Sequence, residues 1–162
     1  MLHTKGPVAV LHRDQCVQEA LAQLEEVAVD EVDLAVELLG KRLAAPLLIT
    51  GMTGGTAEAS EINRDLAQVA EESGIAFGLG SQRAMQRRPE LAYTFEVRTH
   101  APTTLVLASL GGVQATAQPS AAVAELVRAV GADAVCIHLN PAQELIQAGG
   151  DRDFRGGVAA LT

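Results

Sequence analysis

Residues 103–140 decide the fold: TTLVLASLGGVQATAQPSAAVAELVRAVGADAVCIHLN. The stretch begins and ends with apolar runs of the kind that form buried strands. Between these runs, four apolar residues recur at helical spacing: Val123, Leu126, Val127 and Val130. Ser120 before this stripe and Gly131 after it are typical start and stop signals of a helix. A strand, a helix and a second strand in this order predict one unit of a parallel α/β sheet.

The same alternation extends towards the N-terminus. Four apolar runs begin near Pro46, Ala76, Thr104 and Ala134, which lie 30, 28 and 30 residues apart. A helical stripe precedes the second run and consists of Ile62, Leu66, Val69 and Ala70. We expect Ser60 to cap that helix, and Pro89 to lie in the first turn of another helix that carries Leu91 and Phe95. Regular repetition of this kind predicts repeated βα units.

Two α/β architectures fit such units, an open doubly wound sheet and a (β/α)8 TIM barrel. Each apolar run ends in polar or glycine-rich sequence: TGMTGG, GLGSQR, ASLGG and HLNPAQE. The carboxyl ends of parallel strands share one edge, and TIM barrels keep their chemistry there, which favours the barrel. A complete barrel needs roughly 250 residues. We therefore expect residues 45–162 to form the first four βα units, a half barrel, after an N-terminal segment 1–44 with an amphipathic helix over Val17–Val29.

The composition excludes several classes of function. The formal charge of −8 disfavours binding to nucleic acid through its phosphates. No apolar run reaches the length of a membrane span and no signal peptide is recognisable, so we expect a cytoplasmic protein without membrane association. The two cysteines, Cys16 and Cys136, show no zinc or disulfide spacing. Cys136 lies in an apolar run and is predicted to be buried.

Three of the strand ends carry candidate binding groups. The turn Met52–Gly55 combines small residues with the hydroxyl of Thr53, which suits either a close-packed ligand or an ordinary glycine turn. In GLGSQR, Ser81 and Arg83 suit an anion, although Arg83 also fits a solvated loop. This motif lacks the final glycine of a dinucleotide fingerprint.

The richest motif is HLNPAQE, residues 138–144. His138 and Asn140 alternate, so they are predicted to lie on the same side of a strand. Glu144 beside these groups suits Mg²⁺ bound together with a substrate phosphate, whereas the alternative is a buried histidine and a surface glutamate. The charged segment Gly150–Gly156, GDRDFRG, is predicted to be an exposed connection.

Taken in order, these motifs resemble type 2, FMN-dependent isopentenyl diphosphate isomerase. The resemblance covers roughly Val32 to Val158 and joins LGKRLAAPLLITGMTGG, GLGSQR, LVLASLGG and HLNPAQELIQAGGDRDFRG. It implies an enzyme of isoprenoid biosynthesis that interconverts isopentenyl diphosphate and dimethylallyl diphosphate. It also implies three cofactors, FMN, Mg²⁺ and NADPH, which keeps the flavin reduced.

The resemblance assigns roles residue by residue. It implies FMN contacts at Gly51, Met52, Thr53, Ser81 and Ser109. It implies substrate contacts at Ser81, Gln82, Arg83, His138, Asn140 and Gln143. His138 and Gln143 are the implied catalytic residues, and Glu144 is the implied Mg²⁺ ligand.

The chain departs from the family in three places. Ser109 stands where the family usually has an asparagine that contacts FMN. No match to the family's basic N-terminal segment is found near Lys5, His12 and Arg13. The family holds the FMN phosphate with groups in the second half of its barrel, and no part of this sequence corresponds to that half. Two further hypotheses therefore stay open: an FMN-dependent TIM-barrel oxidoreductase, and a non-catalytic half barrel or subunit. We expect a homo-oligomer or completion by a second half-barrel chain.

Overall fold

The computed structural model describes residues 28–157, and the chain divides into two compact units, residues 1–34 and 35–162. Within the first unit, the described part holds a 3-10 helix, Val29–Glu31. Residues 17–27 of the predicted amphipathic helix lie outside the described residues. The second unit begins earlier than the predicted boundary at residue 45, because it includes a β-hairpin whose Leu43 is buried against Ala76 and Leu105.

That hairpin consists of β1 (Val36–Leu38) and β2 (Lys41–Leu43), which pair antiparallel. Its two turn residues, Leu39 and Gly40, have φ angles of 52° and 75°. Positive φ at both positions is the geometry of the tight turns that match the twist of paired strands. The hairpin thereby returns sharply and places Leu43 against the sheet.

The predicted parallel sheet is present. Its strands are β3 (Leu48–Ile49), β4 (Ala76–Gly78), β5 (Val106–Gly111) and β6 (Ala134–His138), and they lie side by side in chain order, all parallel. The helices between and after them are α1 (Ala57–Ser73), α2 (Arg83–Arg87), α3 (Gly112–Thr116), α4 (Ser120–Ala129) and α5 (Pro141–Ile146), and a 3-10 helix spans Pro89–Phe95. Pro89 occupies the first turn of its helix as predicted. Arg83 begins α2 instead of lying in a loop.

The start of α1 corrects the prediction for Ser60. Thr56 is the N-cap, with an extended backbone and a hydroxyl that accepts a hydrogen bond from the N–H of Ala59 at 3.1 Å. Ser60 lies one turn further in and is buried, and its hydroxyl has no hydrogen-bond partner among residues 28–157. Threonine and serine are both common N-cap residues. Thr56 is the one that caps α1, because the chain turns at Gly55, whose φ is +86°, and enters the helix directly after Thr56.

One side of the sheet packs against helices. Phe77, Val106, Ala108 and Leu110 are buried there in the main apolar core, and Val135 and Ile137 pack against it. Alternation places Leu107, Ser109, Cys136 and His138 on the opposite side, here called the open face. Cys136 is exposed on this face. The prediction that it is buried is therefore wrong, because the apolar residues that fill the helix side alternate with it.

A polar network joins the amino ends of β5 and β6, and we call it the lower clasp: Glu71, Arg98, Thr104 and Asp133. Arg98 donates to the carbonyls of Gly131, Ala101 and Thr104 and to Asp133 at 2.9 Å. Although burial alone would raise it, the pKa of Asp133 is lowered by the N–H of Val106 and by Arg98. Likewise the pKa of Glu71 is lowered, against burial, by hydrogen bonds from Thr103 and Thr104. These charges fix the strands at the end away from the predicted site.

No helix within residues 28–157 is both long enough and apolar enough to cross a membrane.

Candidate active site at the carboxyl ends of the strands

Arg83 and Glu144 form the centre of the candidate site. They are 61 residues apart in sequence, yet the Arg83 Nη1 atom lies 3.2 Å from each carboxylate oxygen of Glu144. The reason is topological: Arg83 follows β4 and Glu144 follows β6, and both strands end at the same edge of the sheet. The predicted anion-binding arginine and the predicted metal-binding carboxylate are therefore brought into contact.

Glu144 is held as a buried anion, with only 6% of its surface exposed. Its Oε2 atom accepts the backbone N–H of Asp151 at 2.8 Å. This bond is the main cause that lowers the pKa of Glu144, ahead of the opposing effect of burial and the further lowering by Arg83 and Asn140. A carboxylate kept ionised at one end of a sheet suits a cation or a hydrogen-bond donor from a ligand.

The Asp151 side chain is a site residue that the sequence interpretation missed. Its Oδ2 atom lies 3.2 Å from Arg83 Nη2 and also accepts a hydrogen bond from Gln114 Nε2. The segment Gly150–Gly156 was predicted to be an exposed connection, but its first part turns back onto α5. Gly150 is the signal that could have indicated this, since a Cβ there would lie 2.0 Å from the Glu144 carbonyl oxygen.

His138 lies beside Ser109 on the open face. Its Nδ1 atom is 3.1 Å from the Ser109 hydroxyl oxygen. The backbone N–H of Ser109 in turn donates to Gln82 Oε1 at 2.6 Å. The imidazole that the resemblance implies as catalytic is thus positioned by a serine, which itself is fixed by the glutamine after β4.

Gln82 is fully buried. Besides accepting from Ser109, its side chain donates to the carbonyl of Gly80 at 2.8 Å, so both ends of the amide are used within the chain. The predicted substrate contact of Gln82 stays a prediction. Its side chain links the end of β4, at Gly80, to β5, at Ser109, through these two hydrogen bonds. We call this its bracing role.

The predicted flavin residues follow β3 and β4. Gly51 and Met52 are exposed, and Met52 exposes 83% of its surface, whereas Thr53 and Ser81 are half-buried. Gly80 allows the two turns to touch, because a Cβ there would lie 2.4 Å from the Thr53 carbonyl oxygen. A surface of glycine backbone, one exposed thioether and two hydroxyls fits a flat ring with polar edges. These residues therefore suit FMN chemically.

The donor set around Glu144 also fits Mg²⁺. Among residues 28–157 no group of three or more His, Cys, Asp or Glu side chains forms a metal cage. Mg²⁺ rarely needs such a cage, since one or two carboxylates commonly hold it together with water and the phosphates of a substrate. Glu144 is the buried carboxylate of the site, and Asn140 at the start of α5 contacts it.

Gln143 is one of the predicted site residues that the structure does not bring into this network. It is exposed on α5 next to Glu144. A small cavity of about 160 Å³ borders His138 and Asn140 and is lined by apolar side chains that include Val113, Leu139 and Phe154. A larger cavity of about 750 Å³ lies apart from the site, between α4 and the helix side of β6. This larger cavity therefore does not coincide with the cluster of polar site residues.

Comparison with known proteins supports the isopentenyl-diphosphate isomerase part of the motif resemblance. The chain is 51% identical over 134 residues to the isopentenyl-diphosphate delta-isomerase of Synechococcus sp., a match of 82% of this chain and 38% of that protein. It is 47% identical to that of Cronobacter sakazakii (85% and 40%) and 46% identical to that of Methanopyrus kandleri (90% and 40%). No protein-family model matches. The chain spans about two fifths of the length of these curated relatives, and over most of its own length it is homologous to proteins named isopentenyl-diphosphate delta-isomerase.

Proposed function

We propose that this chain forms the diphosphate-binding part of a type 2 isopentenyl diphosphate isomerase. The reaction is the interconversion of isopentenyl diphosphate and dimethylallyl diphosphate with FMN, Mg²⁺ and NADPH. The observation that carries the proposal is the buried Glu144 carboxylate in contact with Arg83 at the carboxyl edge of the sheet. The names of the relatives support the substrate class, and the motif resemblance is the basis for proposing the FMN-dependent type.

Arg83 and Glu144 have complementary roles at the diphosphate. A guanidinium matches phosphate oxygens through paired N–H groups, so Arg83 would bind the anion directly. Glu144, kept ionised, would hold Mg²⁺ against the same phosphates. Arg83, Glu144 and Asp151 together carry a charge of −1, and a diphosphate adds further negative charge. A divalent cation would balance that sum, which supports the proposed need for Mg²⁺.

His138 and Gln143 are the groups proposed to act at the hydrocarbon end. Bound FMN in its reduced form would supply acid–base chemistry for moving the double bond. The Ser109 hydroxyl contacts the Nδ1 atom of the His138 ring, so Nε2 would be the ring nitrogen available to a substrate. Gln143 would contact the isoprenoid portion from the exposed side of α5. The small apolar cavity beside His138 and Asn140 is of a size to hold part of a five-carbon chain.

The fold proposed for this activity is a half barrel that other chain segments complete. Within residues 28–157, β3 pairs with β4 alone and β6 pairs with β5 alone, so each has one edge without a strand. The strands follow one another in chain order without the reversal that marks a doubly wound sheet. The cavity beside Val135 and Ile137 offers an apolar surface for a further helix. A second copy or a second half-barrel chain is the proposed source of strands that would pair with these edges.

Flavin retention and turnover test the proposal directly. The purified chain is mixed with FMN, passed through a desalting column and examined by visible absorption. It is then assayed for conversion of isopentenyl diphosphate with Mg²⁺ and NADPH, while size-exclusion chromatography reports its oligomeric state. Retained flavin, conversion and a species larger than a monomer support the proposal. A colourless, inactive monomer would favour the non-catalytic alternative for this chain.

A matched pair of variants tests the role of Glu144. Glu144→Gln should weaken Mg²⁺-dependent substrate binding and leave FMN bound. Glu125→Gln makes the same change at an exposed position on α4 that pairs with Arg128, and it should alter neither. Loss of FMN with unchanged substrate affinity in Glu144→Gln would contradict the assignment. Hydride transfer to an organic substrate without a requirement for Mg²⁺ would favour the oxidoreductase alternative.

A further inference from the structure

The structure places a second carboxylate on the proposed diphosphate-binding arginine. Asp151 Oδ2 lies 3.2 Å from Arg83 Nη2, while Glu144 contacts Nη1 of the same guanidinium. Arg83 exposes 21% of its side chain and Asp151 exposes 30%, so the pair is partly shielded from water. The other contact of the Arg83 guanidinium is with Glu144, and the other contacts of Asp151 are with Gln114 and Glu144. These contacts hold both side chains in place.

The position of Asp151 is fixed by four separate contacts. Its backbone N–H donates to Glu144 at 2.8 Å, and its side chain accepts from Gln114. The preceding Gly150 packs on the carbonyl of Glu144, where a Cβ would lie at 2.0 Å. The N–H of Gly150 also donates to the carbonyl of Gln147 at 3.0 Å, which closes the loop after α5. Asp151 is therefore held against Arg83 by the loop, not by the ion pair alone.

We infer that Asp151 is a positioning residue that makes anion binding at Arg83 dependent on a divalent cation. The inference rests on the proposed function. Without a cation, a diphosphate that approaches Arg83 meets two carboxylates for one guanidinium and is repelled. With Mg²⁺ bound to its phosphates, the ligand carries less negative charge. The phosphate oxygens can then pair with Arg83, while the metal ion offsets the repulsion from both carboxylates. Asp151 thus selects the metal complex over the free diphosphate.

The neighbouring Asp153 provides a matched control. It lies two residues further along the same segment, pairs with Arg155 and exposes 60% of its side chain. Its side-chain hydrogen bonds go to Arg155, outside the Arg83 cluster. Asp153→Asn and Asp151→Asn therefore make the same chemical change in one loop, one outside the site and one inside it.

The experiment is a calorimetric titration of the full chain with inorganic pyrophosphate, once with excess Mg²⁺ and once with a chelator. Asp151→Asn removes a full charge a few ångströms from the anion, so it should tighten metal-free binding by about tenfold. It should change binding of the magnesium complex much less, and Asp153→Asn should behave as the unaltered chain. Asp151→Ser, a second neutral variant, should repeat the effect if Asp151→Asn folds poorly.

The outcomes separate the inference from the proposed function. Equal metal dependence in Asp151→Asn and Asp153→Asn would overturn the inference while leaving the diphosphate site in place. Weaker binding in Asp151→Asn with and without Mg²⁺ would also overturn it, because Asp151 would then only shape the site. Absence of pyrophosphate binding by the unaltered chain, or binding that Arg83→Ala does not change, would refute both.

Discussion

Gln82 is where the sequence interpretation and the structure make different predictions, and replacing it with methionine tests them. Methionine has nearly the same volume and shape, so the change leaves little cavity and little strain. It removes two hydrogen bonds, the one that Gln82 donates to Gly80 and the one that it accepts from the Ser109 N–H. A residue that serves only to bind substrate would lose affinity without loss of stability.

The expected loss of stability follows from these two bonds. Each contributes about 1 kcal/mol net, and a buried donor or acceptor left without a partner costs about 1 kcal/mol or more. The gain from burying an apolar side chain offsets part of this, which leaves a loss of about 2–3 kcal/mol. For a chain of this length, that corresponds to a fall in Tm of roughly 5–10 °C.

The assay is urea unfolding followed by circular dichroism, with Gln68→Met as the control. Gln68 also donates a hydrogen bond, to Glu72 at 2.8 Å, but it does so on the exposed surface of α1. That variant should change the free energy of unfolding by less than about 0.5 kcal/mol. If Gln82→Met and Gln68→Met proved equally stable, the bracing role would be refuted and the substrate contact would stand as the better explanation.

Three further predictions concern α1, pH and Arg83. Thr56→Ala should lower the free energy of unfolding by about 1 kcal/mol because it removes the N-cap, whereas Ser60→Ala should be neutral or stabilising in the same denaturation assay, since the buried Ser60 hydroxyl has no partner among the described residues. The pKa values of Glu71, Asp133 and Glu144 are lowered in the folded chain. The stabilisation that these carboxylates contribute is therefore present above the unfolded pKa of roughly 4 and is lost as the pH falls through the folded pKa values. Urea unfolding at a series of pH values should show that the free energy of unfolding decreases below about pH 4, and Asp133→Asn should make that decrease shallower. Arg83→Ala should raise KM for isopentenyl diphosphate about tenfold or more by removing a charge-assisted contact, and an unchanged KM in steady-state kinetics would exclude a diphosphate contact.

The strands were predictable because their apolar runs are short, regularly spaced and ended by glycine or polar residues. All four predicted runs contain a strand of the parallel sheet. The contact between Arg83 and Glu144 was within reach for the same reason, since parallel strands bring residues after β4 and β6 to one edge. Their distance could not be predicted, because it depends on how α2 and α5 begin.

Other features depend on tertiary contacts that a linear pattern does not contain. Asp151 reaches Arg83 only because the chain reverses at Gly149, whose φ is +73°, and then packs closely at Gly150. The apolar run around Cys136 predicts a buried side chain. Because side chains alternate along β6, Cys136 lies on the open face instead. Thr56 and Ser60 are equivalent as caps in sequence, and the backbone conformation at Gly55 decides between them.

The lower clasp has a consequence for directed evolution of this protein. Arg98, Asp133 and Glu71 tie the strands together through backbone groups at the end of the sheet opposite to Arg83 and Glu144. Saturation libraries at the carboxyl edge therefore leave that anchoring intact, and most of their members should retain the fold. Randomising the clasp instead would remove folded variants before any new substrate preference could be selected.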